Sequence, residues 1–462
     1  MIVRKQLPSS GEPLSKLEGL ARDWRGIGAG KGQDVKKIRR LVRPSFALSA
    51  CLSCSLMGIA LTDAHAADRA DLDYTGSIQF MPETGQLTAG WTIQVLDSDL
   101  DTITFGLSAA LGTAAVSGAD VMSVTTTLDP RFDGAIRAYQ VDLGAVDGDR
   151  PRRVRFAYSG PLFDPEPSFP INTLNSNKVE LTVDSFWFPF DLRFDSDLTA
   201  NLGVRIDGEW SGVGVDQVER VDQGFRIRQR DPALDIAFSL LSNSQIVTSD
   251  DYIIHDARRE PGTKIDDLTQ ALEICTTYLN DMAGSAGPLP KASILVTDRA
   301  EGGYSRGTLI ALTDIENETD TDLQKFICHE LAHFWSHANA GGAENWINEG
   351  VAEYIALMGV RHAMGEAVYA AYLGDYAERL DGQDLPPIWT PDASGRPPYL
   401  ISYRAAPLAL RDLEERLGRD AFRVLMRVMM IEKIKTTPDL LAAIERLSDK
   451  PTRDWFASRL AE

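Results

Sequence analysis

Cys328-His329-Glu330-Leu331-Ala332-His333-Phe334-Trp335, followed by Trp346-Ile347-Asn348-Glu349-Gly350-Val351-Ala352-Glu353-Tyr354, carries the strongest chemical signal in the 462-residue chain. The spacing predicts a helix from about 320 to 339, on which His329 and His333, four residues apart, project from one face toward a common point. Two imidazoles so placed make a zinc clamp. Zinc chemistry asks for a third protein ligand and one open position for water, and Glu349, on the next helical segment, is the natural third ligand. Glu330, beside His329, faces that water as the candidate general base. The pattern therefore predicts one Zn2+ per chain, held by His329, His333 and Glu349; the bland alternative is two core histidines that share a helix. Of five histidines beyond residue 66, three lie in this one helix. The third, His337, is read as a polar residue at the helix end rather than as a ligand.

Length and charge set the frame. A chain this long suggests two domains, each burying its own core. Residues 1–66 carry eleven Lys and Arg against five Asp and Glu, which leaves the remainder with 36 basic and 62 acidic residues, a net of −26. Such a surface disfavours nucleic acid and anionic lipid as partners. A basic run (Lys36, Lys37, Arg39, Arg40, Arg43), an apolar run from Phe46 to Leu61 and the small-residue site Ala64-His65-Ala66 make a secretory signal peptide, so export to the periplasm or the medium is expected. Its depth in the chain suggests that residues 1 to about 34 reflect an over-long start. Membrane association would come only through an uncleaved anchor or through lipidation at the lipobox-like Leu48-Ser49-Ala50-Cys51. No later run is long and apolar enough to span a bilayer. Beyond residue 66 only Cys275 and Cys328 remain. An oxidising compartment allows them to pair, but buried single cysteines are common in cores, and two free thiols are expected.

The texture of the chain changes once. From Asp71 to about Val247 short alternating runs such as Gly90-Trp91-Thr92-Ile93-Gln94-Val95-Leu96 and Val154-Arg155-Phe156-Ala157-Tyr158 predict an antiparallel β-sandwich or saddle-shaped domain over 67–247. Phe186-Trp187-Phe188-Pro189-Phe190 within it is either packing between sheets or the lining of a ligand groove. Residues 248–462 read as mainly helical. A helix from Ile265 to Met282 presents Leu268, Leu272, Cys275 and Leu279 at helical spacing, and two strands, Ala292 to Thr297 and Thr308 to Leu312, precede the zinc helix. Asp320 or Thr321 is the expected N-cap, and Gly341-Gly342 the expected stop. The strand Thr308 to Leu312 is a candidate edge for holding a substrate backbone. Glu353, one turn beyond Glu349, is either a support for a ligand histidine or a solvent-exposed carboxylate.

The segment Trp346 to Tyr354 resembles the Trp-Leu-Asn-Glu-Gly-Phe-Ala-x-Tyr segment of the aminopeptidase-N family of gluzincin zinc metallopeptidases. His329 to Trp335 looks like that family's His-Glu-Leu-Ala-His-x-Trp, and Trp187-Phe188-Pro189 like its β-domain Trp-Phe-Pro. The resemblance implies a β-domain followed by a thermolysin-like catalytic domain, an α+β class, with Glu349 as third ligand and a peptide or protein as substrate. Tyr403-Arg404-Ala405-Ala406, heading a helix to Leu417-Gly418, is similar to the Tyr-x-Lys-Gly that places the family's catalytic tyrosine, which makes Tyr403 the candidate oxyanion donor and Tyr399 its rival. Three departures stand out. Fifteen residues separate His333 from Glu349, three fewer than in the family. The family's Gly-x-Met-Glu-Asn loop, whose Glu grips a substrate amine, is replaced by Gly302-Gly303-Tyr304-Ser305-Arg306, with Ser305 at the glutamate; Glu301 or a β-domain carboxylate would have to substitute. The helical C-terminal domain of larger members has no counterpart, so a short form with an open cleft is expected. Aminopeptidase action is the leading expectation, with a zinc endopeptidase or oligopeptidase, or a zinc-stabilised binding module of the cell envelope, as alternatives.

Overall fold

The computed structural model describes residues 70–462 apart from 145–149, 164–170, Asp195, Pro261, 300–302, 336–337 and 339–341. The signal-peptide region, His337 and Glu301 lie outside the described residues. The first half of the described chain forms three sheets. A seven-stranded sheet runs in the order Gln217–Val221, Gly224–Ala233, Leu198–Arg205, Leu72–Met81, Gln86–Val95, Arg152–Pro161 and Ala115–Ser117. Alternation explains its inner face: Leu87, Ala89, Trp91, Ile93 and Val95 are buried while their neighbours are not, as a half-buried strand requires. The sheet is antiparallel except where Leu72–Met81 runs parallel to Leu198–Arg205, a crossover that local alternation could not predict. Two four-stranded sheets complete this half, one ordered Phe190–Asp191, Thr102–Ser108, Ile136–Leu143, Val121–Leu128 and the other Ser211–Gly214, Phe238–Leu241, Lys178–Leu181, Thr173–Leu174.

Phe186 to Phe190 is core, not a groove. Trp187 and Phe188 are fully buried, and their rings meet Trp91 and Phe238 at 5.4–6.2 Å. The segment is also pinned by hydrogen bonds. Tyr158 donates its hydroxyl to the Trp187 carbonyl at 2.7 Å while accepting from Trp91 Nε1 at 2.7 Å, and Tyr74 donates to the Pro189 carbonyl at 2.7 Å. The polar groups of Tyr74, Tyr158 and Trp91 thus have partners where water is excluded, whereas Trp187 Nε1 is buried with none.

A fourth, five-stranded sheet opens the second half, ordered Gln245–Thr248, Tyr252–Asp256, Ala292–Thr297, Leu309–Thr313, Tyr304–Arg306. The same half holds eight described helices, α1 (Ile265–Ala283), α2 (Asp320–Ala332), α3 (Asn345–Met364), α4 (Glu366–Leu380), α5 (Ala406–Leu417), α6 (Arg419–Ile431), α7 (Thr437–Leu447) and α8 (Lys450–Leu460). Helix α3 is the axis of this half: its residues from Trp346 to Val360 are buried almost without interruption, which is why its sequence is apolar all round rather than striped. No helix among the described residues is long and apolar enough to cross a membrane.

Four expectations are corrected. Cys275 and Cys328 are not free thiols; they form a disulfide joining α1 to α2, their Cα atoms 5.2 Å apart. Both sit at the α1–α2 contact with no exposure, a facing that the 53-residue separation does not reveal. The helix carrying His329 ends at Ala332 and passes into a 3-10 turn, His333–Trp335, short of residue 339. Its N-cap is Thr319, whose hydroxyl accepts from the Asp322 N–H at 3.1 Å. Finally, Leu309–Thr313 is not an edge: Gly307, at φ 53°, turns the chain so that Tyr304–Arg306 covers it. The edge strand on that side of the sheet is Tyr304–Arg306.

Candidate metal centre

His329 and His333 leave the end of α2 on one side, and Glu349 comes from the first turns of α3. Their facing atoms form a tight triangle. The two Nε2 atoms are 3.1 Å apart, and Glu349 Oε2 is 3.6 Å from the first and 3.5 Å from the second. Among the described residues this is the group of His, Cys, Asp and Glu side chains that can share a metal ion.

The donor set fits zinc. Atoms so spaced leave a point roughly 2 Å from each, the length of a zinc–nitrogen or zinc–oxygen bond. Glu349 Oε2 is buried and has no hydrogen-bond partner, an arrangement that costs free energy unless a cation completes it. Its other oxygen is attended by Asn348 Nδ2 at 3.4 Å and Arg396 Nη2 at 3.5 Å, so Oε2 is the atom available to a metal. Burial alone would raise the Glu349 pKa, but the two histidines prevail and hold it well below the usual carboxylate range.

Glu353 sets the orientation of His329. It is 2% exposed, and its Oε2 lies 2.8 Å from His329 Nδ1; in the tautomer that ligation requires, Nδ1–H donates to this carboxylate and the Nε2 lone pair points into the triangle. Its Oε1 accepts from Lys325 Nζ at 2.6 Å and from the Tyr376 hydroxyl, with Arg404 Nη1 at 3.4 Å. Burial opposes its charge, yet Lys325, His329 and Arg404 keep it ionised, far below its ordinary pKa. Lys325, Tyr376 and Arg404 carry no sequence signal of this role; they are found only once α2, α4 and the turn before α5 are brought together.

Tyr403 closes the other side. A single π-helical turn, Ile401–Ala405, runs into α5 and places Tyr403 so that its ring stacks on His329, with centroids 5.7 Å apart and planes at 16°. Burial, then the neighbouring Glu349 charge, raises its pKa well above the ordinary phenol, so the hydroxyl stays protonated and able to donate. Tyr399, 42% exposed, stacks outside Tyr403 at 4.6 Å and accepts from Arg404 Nη2 at 3.0 Å. The turn can lie this close to α3 because residue 350 is glycine: a Cβ there would meet Ala406 Cβ at 2.6 Å.

Ser305 lies on the edge strand, in register with Ile310. The β-domain carboxylates around that strand are engaged: Arg306 pairs with Asp235 at 2.9 Å and Asp184 at 3.2 Å, and Glu180 takes Lys178 and Arg299 at 2.8 and 2.5 Å. Burial pushes Asp235 up to about 6 in spite of Arg306.

No protein-family model and no curated protein matches the chain. Solved structures do. An M1 zinc metallopeptidase from Deinococcus radiodurans superposes with a TM-score of 0.61 at 16% identity, over 85% of this chain and 94% of that one. A mutant M1 zinc metallopeptidase from the same organism, bound to a Tyr-Ser-Ala substrate, gives 0.60 at 16% identity over 85% and 95%. Native yeast LTA4 hydrolase gives 0.61 at 14% identity over 84% of this chain and 66% of its own. The fold is thus that of M1 zinc metallopeptidases, a multi-sheet β-domain followed by a helical domain.

Proposed function

We propose that the protein is an exported zinc metallopeptidase of the aminopeptidase-N type. The observation that carries this reading is the convergence of His329 Nε2, His333 Nε2 and the partnerless Glu349 Oε2 on one point. When bound there, zinc supplies a Lewis acid that polarises the scissile carbonyl and brings the pKa of water toward neutrality. Glu330 takes the proton of the attacking water and passes it to the leaving amine. Tyr403 donates its hydroxyl hydrogen to the oxyanion that develops on the carbonyl carbon's oxygen. Glu353 keeps His329 in the tautomer that ligation requires, and the Tyr304–Arg306 edge offers backbone groups to an extended peptide. The disulfide between Cys275 and Cys328 supports export, since such bonds persist in oxidising compartments.

Aminopeptidase action is the leading reading, on the neighbours of like fold. One observation favours internal cleavage instead: Ser305 offers no charge for a substrate ammonium, and the carboxylates nearest its strand are paired with arginine or lysine. Hydrolysis of one peptide, free and N-acetylated, by zinc-loaded protein separates the two. Cleavage of only the free form at its first bond means an aminopeptidase; internal cleavage of both means an endopeptidase. Glu330→Gln tests the chemistry itself. Turnover lost with zinc retained is expected, and a zinc-stabilised binding module would be indifferent to the change.

A further inference from the structure

We propose that the strand Val121–Leu128 is a docking edge for a second copy of this chain, the two strands pairing antiparallel about a two-fold axis at Thr126. The row of backbone N–H and C=O groups along a sheet edge is a template for another strand, and folded chains blunt it by shortness, charge or proline. The other edges of the four sheets follow that rule. Their edge strands are two to five residues long, and the longest of them, Gln217–Val221, carries Glu219 and Arg220. Val121–Leu128 does not. It has eight residues, Val-Met-Ser-Val-Thr-Thr-Thr-Leu, with no charge, proline or glycine, and among the described residues it pairs only with Ile136–Leu143. A bulge sets Met122 out of register, and Ser123 to Leu128 then pair without a break. All but Val121 and Val124 are exposed, Met122 at 71% and Leu128 at 51%.

Charge and symmetry select the occupant. Beyond residue 66 the chain carries a net of −26, so two copies repel over most of their surface. This strand is where they can touch. The carboxylates at its two ends are already matched, Asp120 by Arg150 and Asp129 by Arg131, each at 2.6 Å, and the strand between them holds no charge for a basic partner to meet. A two-fold axis normal to a sheet sets each face against the same face of the partner. Val124 and Thr126 stand opposite Val141 and Tyr139, which are buried, and Leu128 lies on that same face; Thr125 and Thr127 share the other face with Gln140 and Ala138. With the axis at Thr126, Thr126 meets the partner's Thr126, Val124 meets the partner's Leu128, and Thr125 meets the partner's Thr127. Leu128 thereby gains an apolar neighbour, the threonines face one another, and both kinds of cross-strand pair add stability. The bulge at Met122 stays outside the pairing.

A single pair of strands is a smaller contact than the standard interface of about 1,600 Å², so a reversible dimer with a dissociation constant of roughly 1–100 µM is expected. Sedimentation of the purified protein across roughly 1–300 µM reads it. Thr125→Lys combined with Thr127→Lys puts like charges directly opposite across the axis and should weaken the dimer by about tenfold or more. Both side chains are exposed, so the melting temperature should stay near that of wild type. Thr126→Cys places two thiols on the axis with Cβ atoms about 4.5–5.5 Å apart, and mild oxidation should link the chains above the wild-type background. Ser123→Cys, about 20 Å from its mate in the same register, should not cross-link. A monomer at every concentration overturns the proposal and leaves the edge to an extended segment of some other chain. A dimer that the two lysines do not weaken, or cross-linking at Ser123 equal to or above that at Thr126, overturns it as well. None of these outcomes touches the peptidase reading.

Discussion

Glu353 Oε2 stands 2.8 Å from His329 Nδ1 and is held there by Lys325, Tyr376 and Arg404. A carboxylate in that position raises the basicity of the opposite ring nitrogen and fixes its direction. Replacing it by alanine leaves His329 free to turn and leaves two buried cations without their counter-charge. Glu353→Ala should weaken zinc binding by about 10- to 100-fold, measured by competition with a chromophoric chelator. Affinity equal to wild type would show that the ligand triangle does not depend on this support.

In the proposed mechanism Tyr403 acts on the oxyanion and not as a metal ligand. Tyr403→Phe keeps the ring stacked on His329 and removes only the hydroxyl, so zinc content should stay at one per chain. Turnover should fall by about 10²- to 10³-fold, the usual cost of one oxyanion donor, with little change in KM. The same loss in Tyr399→Phe with Tyr403 intact would transfer the role to its outer neighbour.

The grouping of His329, His333 and Glu349 was legible because chemistry and helix geometry coincide: the two histidines need only a helical period, and Glu349 only a following helix. The early end of α2 did not spoil this, since a 3-10 turn still carries His333 to the same side. What stayed hidden depends on helices meeting. Lys325, Arg396 and Arg404 come from three separate segments, and their charges make sense only around Glu349 and Glu353. The disulfide was misjudged for the same reason: periodicity placed Cys275 and Cys328 on buried faces but not on faces that touch. The sheet edge was misjudged because three residues, Tyr304 to Arg306, are too short to read as a strand.

Gly350 links fold to chemistry. A methyl group there would lie 2.6 Å from Ala406 Cβ and 3.3 Å from the Ser402 carbonyl oxygen, and neither is the far end of a flexible side chain. Gly350→Ala should therefore destabilise the protein by about 1–3 kcal/mol, as overpacking does, and push the turn bearing Tyr403 away from His329 and Glu349. Denaturant unfolding reads the first effect and kcat the second. A variant with wild-type values of both would mean that α3 and the π turn yield easily.

The disulfide closes a loop of 53 residues between α1 and the residue before His329. On chain-entropy grounds a bridge of that span contributes about 4 kcal/mol. The Cys275→Ser, Cys328→Ser double variant should show that loss in denaturant unfolding, and a reducing agent should lower the wild-type melting temperature without altering that of the variant. Equal sensitivity of both to reductant would remove the disulfide as the cause.

His255 gives a pH dependence apart from the metal. It lies in the strand Tyr252–Asp256, is 2% exposed, and neither ring nitrogen has a hydrogen-bond partner. Burial pushes its pKa down to about 4, whereas the unfolded chain titrates near 6.5. Between those values the unfolded state binds the extra proton, so stability is fully present above about pH 6.5 and falls as pH drops toward 4, by about 3 kcal/mol in all. His255→Leu removes the titrating group while keeping an apolar occupant. Unfolding free energies at pH 7 and pH 4.5 should fall more steeply in wild type than in the variant, and equal slopes would mean that the acid sensitivity arises elsewhere.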